Sequence, residues 1–142
     1  MEENIKLTGT LAIKLNGVLV KEVPNLVVTA GKTWIATIIQ SGTGTPMSHM
    51  AVGTGTNAAA LGDTTLQTES ARVAVTVAGG QRTNNVLVFE GVFPAGTGTG
   101  TLTEAGILNA ASNGTMLSRS VFSAVTKGSG DQLTITWTIT IS

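Results

Sequence analysis

The chain has 142 residues, 42% of them hydrophobic and only 11% charged, and its eight basic and eight acidic side chains cancel. That balance excludes a long-range pull toward nucleic acid or an anionic membrane surface, and no apolar run reaches the roughly 18 residues that a membrane-spanning helix needs. With no Cys, no Tyr and one His, disulfides, thiolate metal sites and cysteine nucleophiles are excluded, and catalytic side chains are scarce.

The length suits a single domain over 1–142. The acidic, polar start Met1-Glu2-Glu3-Asn4 is unlike a secretory signal peptide, and the absence of Cys is compatible with synthesis in a cytosol. Ile5, Leu7, Leu11, Ile13 and Leu15 alternate with polar or small residues. A period of two predicts a strand with one buried face. Asn16-Gly17 follows, a pair that readily takes the positive φ angles of a tight hairpin turn. Val18 to Val23 should be the returning strand, stopped by Pro24, which has no N–H to donate. Asn25 to Thr29 reads as a third short strand.

Trp34, Ile35, Ile38 and Ile39 recur at helical spacing, so Ala30 to Gln40 predicts one short helix. Its β-branched content keeps a strand open as the alternative. Met47 to Val52 reads as a strand and Gly53 to Thr68 as a polar loop. Arg72 to Ala78 alternates again, with Val73, Val75 and Val77 on one face. Gly79-Gly80 predicts a turn into a strand from Asn85 to Phe93. Gly96 to Thr101 predicts a loop. Thr103 to Asn109 and Thr115 to Phe122 predict two strands joined around Ser112-Asn113-Gly114. After a turn at Lys127 to Asp131, Leu133, Ile135, Trp137, Ile139 and Ile141 alternate with threonines in the clearest strand of all. Eight to ten short strands predict an all-β fold: an antiparallel β-sandwich, jelly-roll-like, with one short helix. Trp137→Ala is expected to unfold or severely destabilise it.

Gly-Thr-Gly-Thr occurs at Gly42, Gly53 and Gly96. A P-loop needs a Lys-Ser/Thr pair opening a helix, and none follows, so these are read as turns. His49 has no His or Cys companion for zinc. Pairing with Asp63 or Glu69 could make it a base for Ser48, but no nucleophile motif surrounds it. Glu69, Arg72, Glu90, Glu104 and Arg119 fall in or beside apolar strands. Two such carboxylates could do glycosidase chemistry, and Glu90 and Glu104 are the pair to test. The favoured reading is ion pairs that fix strand register or join subunits. No catalytic, cofactor-binding or metal residue is assigned, and no cofactor is expected. Low charge also leaves much uncharged surface, which predicts a homo-oligomer, a dimer or a trimer.

Several blocks follow in order: Met50 to Thr56, Leu61 to Arg72, Phe93 to Ile107, Gly114 to Arg119, and Leu133 to Trp137. Their series resembles a family of small virion structural proteins of tailed bacteriophages, cyanophages among them. The resemblance covers about Asn25 to the C-terminus. It implies a β-sandwich that assembles on a particle, made in the host bacterial cytoplasm. The preferred reading is a capsid decoration or cement protein on the outside of the head, with the major capsid protein as partner and neither nucleic acid nor membrane involved. The alternative is a tail, baseplate or fibre-associated structural protein. A sugar-binding fibre tip and an enzyme rank below both. The N-terminal hairpin, residues 1–23, lies largely outside the resemblance. It is read as an edge hairpin of the sandwich or, alternatively, as a strand added to a neighbouring subunit.

Overall fold

Alternating apolar residues build two five-stranded antiparallel sheets that face each other across one core, in a computed structural model that describes residues 4–142. The first strands are β1 (Leu7–Leu15), β2 (Val18–Pro24) and the two-residue β3 (Leu26–Val27). One helix, α1 (Thr29–Ser41), follows. Then come β4 (His49–Gly53), β5 (Glu69–Ala74), β6 (Gln81–Thr83) and β7 (Val86–Phe93). The last are β8 (Gly100–Leu108), β9 (Met116–Lys127) and β10 (Leu133–Ile141). The first sheet runs β2-β1-β10-β7-β6 and the second β3-β9-β8-β4-β5.

β10 is the spine of the first sheet. It pairs with β1 from Leu7↔Ile141 to Leu15↔Leu133, and with β7 on its other side. Leu133, Ile135, Trp137 and Ile139 are buried. Ile141, expected to face in with them, is exposed where the sheet ends. Four buried side chains on this strand contribute about 8 kcal/mol of hydrophobic transfer before the entropy of ordering is subtracted. They meet Leu11, Ile13, Phe89 and Phe93 of their own sheet and Met50, Val52 and Ile107 of the facing one.

The Asn16-Gly17 turn forms as expected, with φ of 51° and 82°. The hairpin it closes is no appendage. β2 lies at the sheet edge, but β1 is the second strand in and buries Leu11 and Ile13 completely. Without β1 the core would lie open against β10. Asn16 ties this turn to the β9–β10 turn. Its Nδ2 donates to Asp131 Oδ1 at 2.8 Å and its Oδ1 accepts from Gln132 N at 2.9 Å.

The helical spacing of Trp34 to Ile39 prevails over the β-branched content, and α1 closes at Gly42, whose φ of 69° lets its N–H reach Ile38 O at 2.7 Å. Several boundaries differ from expectation, and one strand, β6, was not expected. β9 extends to Lys127, and β8 starts at Gly100 inside the expected loop. β5 stops at Ala74, because Val75 leaves to bridge Gly91 of β7 in the other sheet, and Val77 is exposed. β6, which has no apolar alternation, pairs with β7 from Gln81↔Val88 to Thr83↔Val86. Among the described residues no helix is long and apolar enough to cross a membrane.

Candidate functional site

Strand register places the charged residues on particular faces. In β8, Ala105 and Ile107 point into the main core. Their neighbour Glu104 therefore points to the outer face of the second sheet, and Arg119 of β9, opposite Gly106, points the same way. Glu69 and Arg72 also lie on this face, opposite Gly53 and Ala51 of β4. Glu90 alternates with the buried Phe89 and Gly91, so it lies on the outer face of the first sheet. The two carboxylates considered for glycosidase chemistry thus sit on opposite sheets, facing apart.

The polar loop 54–68 crosses the outer face of the second sheet. It covers a small second core of Val28, Ala51, Leu66, Leu108 and Met116. Glu104 is completely buried beneath it. Its Oε2 accepts from Gly55 N at 2.7 Å and Thr68 N at 2.8 Å, so it holds both ends of the loop. Its Oε1 accepts from Gln67 N at 2.8 Å and from the Arg119 guanidinium at 3.1 Å. Arg119, itself buried, spreads its other donors over the loop. They reach Asp63 Oδ2 at 2.8 Å and Asn57 O at 3.1 Å. Thr103 Oγ1 adds a bond to Gly55 O at 2.7 Å. A buried ion pair costs desolvation and is tolerated when every lone pair and proton has a partner. Here both carboxylate oxygens are filled.

This geometry explains the second Gly-Thr-Gly-Thr. A Cβ on Gly53 would run into the Thr68 carbonyl before it met Glu104 Oε2, and one on Gly55 would run into both the Gln67 side chain and Glu104 Oε2. Both positions need Gly because the returning end of the loop and the carboxylate approach the backbone closely.

Glu69 and Arg72 form the other outer-face pair, with Nη2 and Oε1 2.6 Å apart. Arg72 Nη1 also donates to Ala110 O and Asn113 O, both at 2.9 Å, which fastens the β8–β9 turn. These ion pairs set the position of a loop and a turn within one chain, where fixing strand register or joining subunits had been expected. Glu90 makes no ion pair among the described residues.

Ser48 Oγ and His49 Nδ1 lie 2.8 Å apart. The third member of a triad is not supplied, because Asp63 is taken by Arg119 and Ala60 N, and Glu69 by Arg72. A groove of about 640 Å³ runs between α1 and the loop and is lined by Trp34, Leu61, Thr33, Thr37 and Asp63. Asp63 is its only ionisable group. Among the described residues no three of His, Asp and Glu gather around one point where a cation could sit. What the arrangement does is hold a loop against a sheet. The type of these residues was legible in the sequence. The loop as their common target was not, since its partners are backbone groups.

The sequence family described as "Phage tail-collar fibre protein, N-terminal" matches residues 21–142. The chain belongs to this family. No curated protein and no solved structure matches. Family membership supports a bacteriophage virion structural protein, in keeping with the resemblance of the ordered blocks. It favours the tail or fibre alternative over capsid decoration. The match begins at Lys21, inside β2, so β1 and the first half of β2 lie outside it although they complete the sandwich.

Proposed function

We propose that this domain is a structural module of a phage tail-collar fibre, working by surface binding and without catalysis. The observation that carries the reading is the family match over all but the first twenty residues. The geometry is compatible with it. Glu104 has no free lone pair with which to move a proton, and the Ser48–His49 pair lacks an orienting carboxylate. The partners proposed are other tail proteins rather than the major capsid protein, with no nucleic acid and no membrane involved. Several copies acting together would make weak individual contacts tight by raising the effective concentration.

The test is the copy number of this protein in purified virions, by quantitative mass spectrometry against the major capsid protein, together with immunogold labelling. A few to a few dozen copies, with gold at the collar or tail, is the expected result. Hundreds of copies in a whole-number ratio to the shell subunit, with gold over the head, would overturn it and restore the head-decoration reading.

A further inference from the structure

We propose that Asn113 is a site of covalent self-modification by deamidation, and that Asn16, which begins the same dipeptide, is shielded from it by its hydrogen bonds. The chain has two Asn-Gly pairs, Asn16-Gly17 and Asn113-Gly114. In Asn-Gly the reaction meets least obstruction, because Gly has no Cβ to keep its nitrogen from the Asn side chain. The attack stays within one chain, so no second molecule has to be brought in for it.

A solvent base first takes the proton of Gly114 N–H. The nitrogen then bonds to Asn113 Cγ, the Cγ–Nδ2 bond breaks, and Nδ2 takes up a proton and leaves as ammonia. A five-membered succinimide remains. Water opens it at either carbonyl, giving Asp or iso-Asp. The chain, neutral at the start, gains one negative charge. Iso-Asp also carries the main chain through the former side chain and lengthens it by one carbon. That shift acts on Asn113 O, one of the two carbonyls by which Arg72 fastens the β8–β9 turn.

The two sites share a backbone conformation and differ in what holds it. Both Asn residues are left-handed, with φ of 51° at Asn16 and 54° at Asn113. In that region the next nitrogen is turned away from the side chain, so each Asn must rotate about its Cα–C bond before the ring can close. Asn16 stands in a two-residue turn between the paired Leu15 and Val18. Its side chain is tied at both ends, Nδ2 to Asp131 Oδ1 and Oδ1 to Gln132 N. Asn113 lies in the longer connection 109–115 between β8 and β9. That connection is closed at its base, where Asn109 N donates to Thr115 O and Thr115 N to Asn109 Oδ1. Residues 111–114 beyond the base are exposed. Among the described residues the Asn113 side chain makes no hydrogen bond and Gly114 N–H has no acceptor. One bond opposes the rotation directly, from Arg72 Nη1 to Asn113 O, and it is exposed to solvent. Asn16 has two side-chain bonds and a strand ladder against it.

The full-length protein in warm, mildly alkaline buffer, followed by peptide mapping with mass spectrometry, reads both sites at once, since each conversion adds one mass unit. Conversion at Asn113 should run at least ten times faster than at Asn16, with Asp and iso-Asp both formed. The same chain unfolded in urea should convert the two at similar rates, because the dipeptide is the same. Asp131→Ala removes one tie from Asn16, so it should speed conversion there several-fold and leave Asn113 unchanged. Equal rates at the two sites in the folded protein, or faster conversion at Asn16, would overturn the proposal. So would an Asn113 that stays intact in the folded chain while it converts in the unfolded one. No acceleration at Asn16 in Asp131→Ala would overturn the shielding by hydrogen bonds.

Discussion

Replacing Glu104 by Gln keeps the size and shape of the side chain and removes one acceptor. The two carboxylate oxygens take four donors, two each: Gly55 N and Thr68 N on Oε2, Gln67 N and the Arg119 guanidinium on Oε1. A Gln amide has one oxygen and one NH2 group. Whichever way it turns, two buried donors face its NH2 and lose their acceptor. Leaving a buried donor unsatisfied costs about 1–3 kcal/mol, so the pair predicts a loss of about 4 kcal/mol. For a chain of this size each kcal/mol moves the melting temperature by roughly 3 °C, so the variant should melt on the order of 10 °C lower. Thermal unfolding followed by circular dichroism measures this, with urea unfolding as the check on free energy. The loop should also loosen first, which amide hydrogen exchange at Gly55, Gln67 and Thr68 would report. A Gln variant that melts within a degree or two of wild type, with those amides still protected, would refute the reasoning, since the carboxylate would then not be holding the loop.

Trp137→Ala should cost about 3–5 kcal/mol in urea unfolding, as large-to-small core substitutions do, because the ring is fully buried between Leu11 and Phe89 on the neighbouring strands. Its Nε1 has no hydrogen-bond partner, so Trp137→Phe loses no bond and should cost clearly less than Ala. Equal losses for the two variants would contradict this. Asp131 is held below the ordinary carboxylate value of 3.8, first by the Asn16 side chain and then by Gly128 N–H. A lowered folded-state value means stability that is fully present above the unfolded value and is lost as the pH falls through the folded one. The difference in urea midpoint between wild type and Asp131→Ala should therefore be constant at neutral pH and shrink below pH 3.8. A difference that stays constant down to pH 2 would show that the turn-to-turn bond is not ionic.

The alternating strands were legible from residues alone. Leu11 and Ile13 in β1 and Leu133 to Ile139 in β10 hide every second side chain, and that periodicity is local. Asn16-Gly17 was legible for the same reason, since its turn geometry is a property of two residues. β6 was not legible, because Gln81 to Thr83 are all exposed and form a strand only where β7 offers them an edge. The departure of Val75 from its own strand was equally invisible, since it is Gly91 of the other sheet that receives it. In the candidate site the residue types Glu104 and Arg119 stood out in a charge-poor chain. Their partners did not, because backbone N–H groups of a distant loop leave no mark in composition.

By itself the sequence determined the class of structure: an all-β domain with one helix, a hairpin at Asn16-Gly17 and a core strand around Trp137. These follow from side-chain period and turn chemistry, which act over a few residues. Only the tertiary structure decided that the β1–β2 hairpin is built into the sandwich through β1, and that Glu104 and Arg119 serve loop 54–68. It alone separated Glu90 from Glu104 and left Val18 to Val20 uncovered. Each of these depends on which strands become neighbours. That outcome is set by burial summed over the whole chain, and no short stretch of sequence contains it.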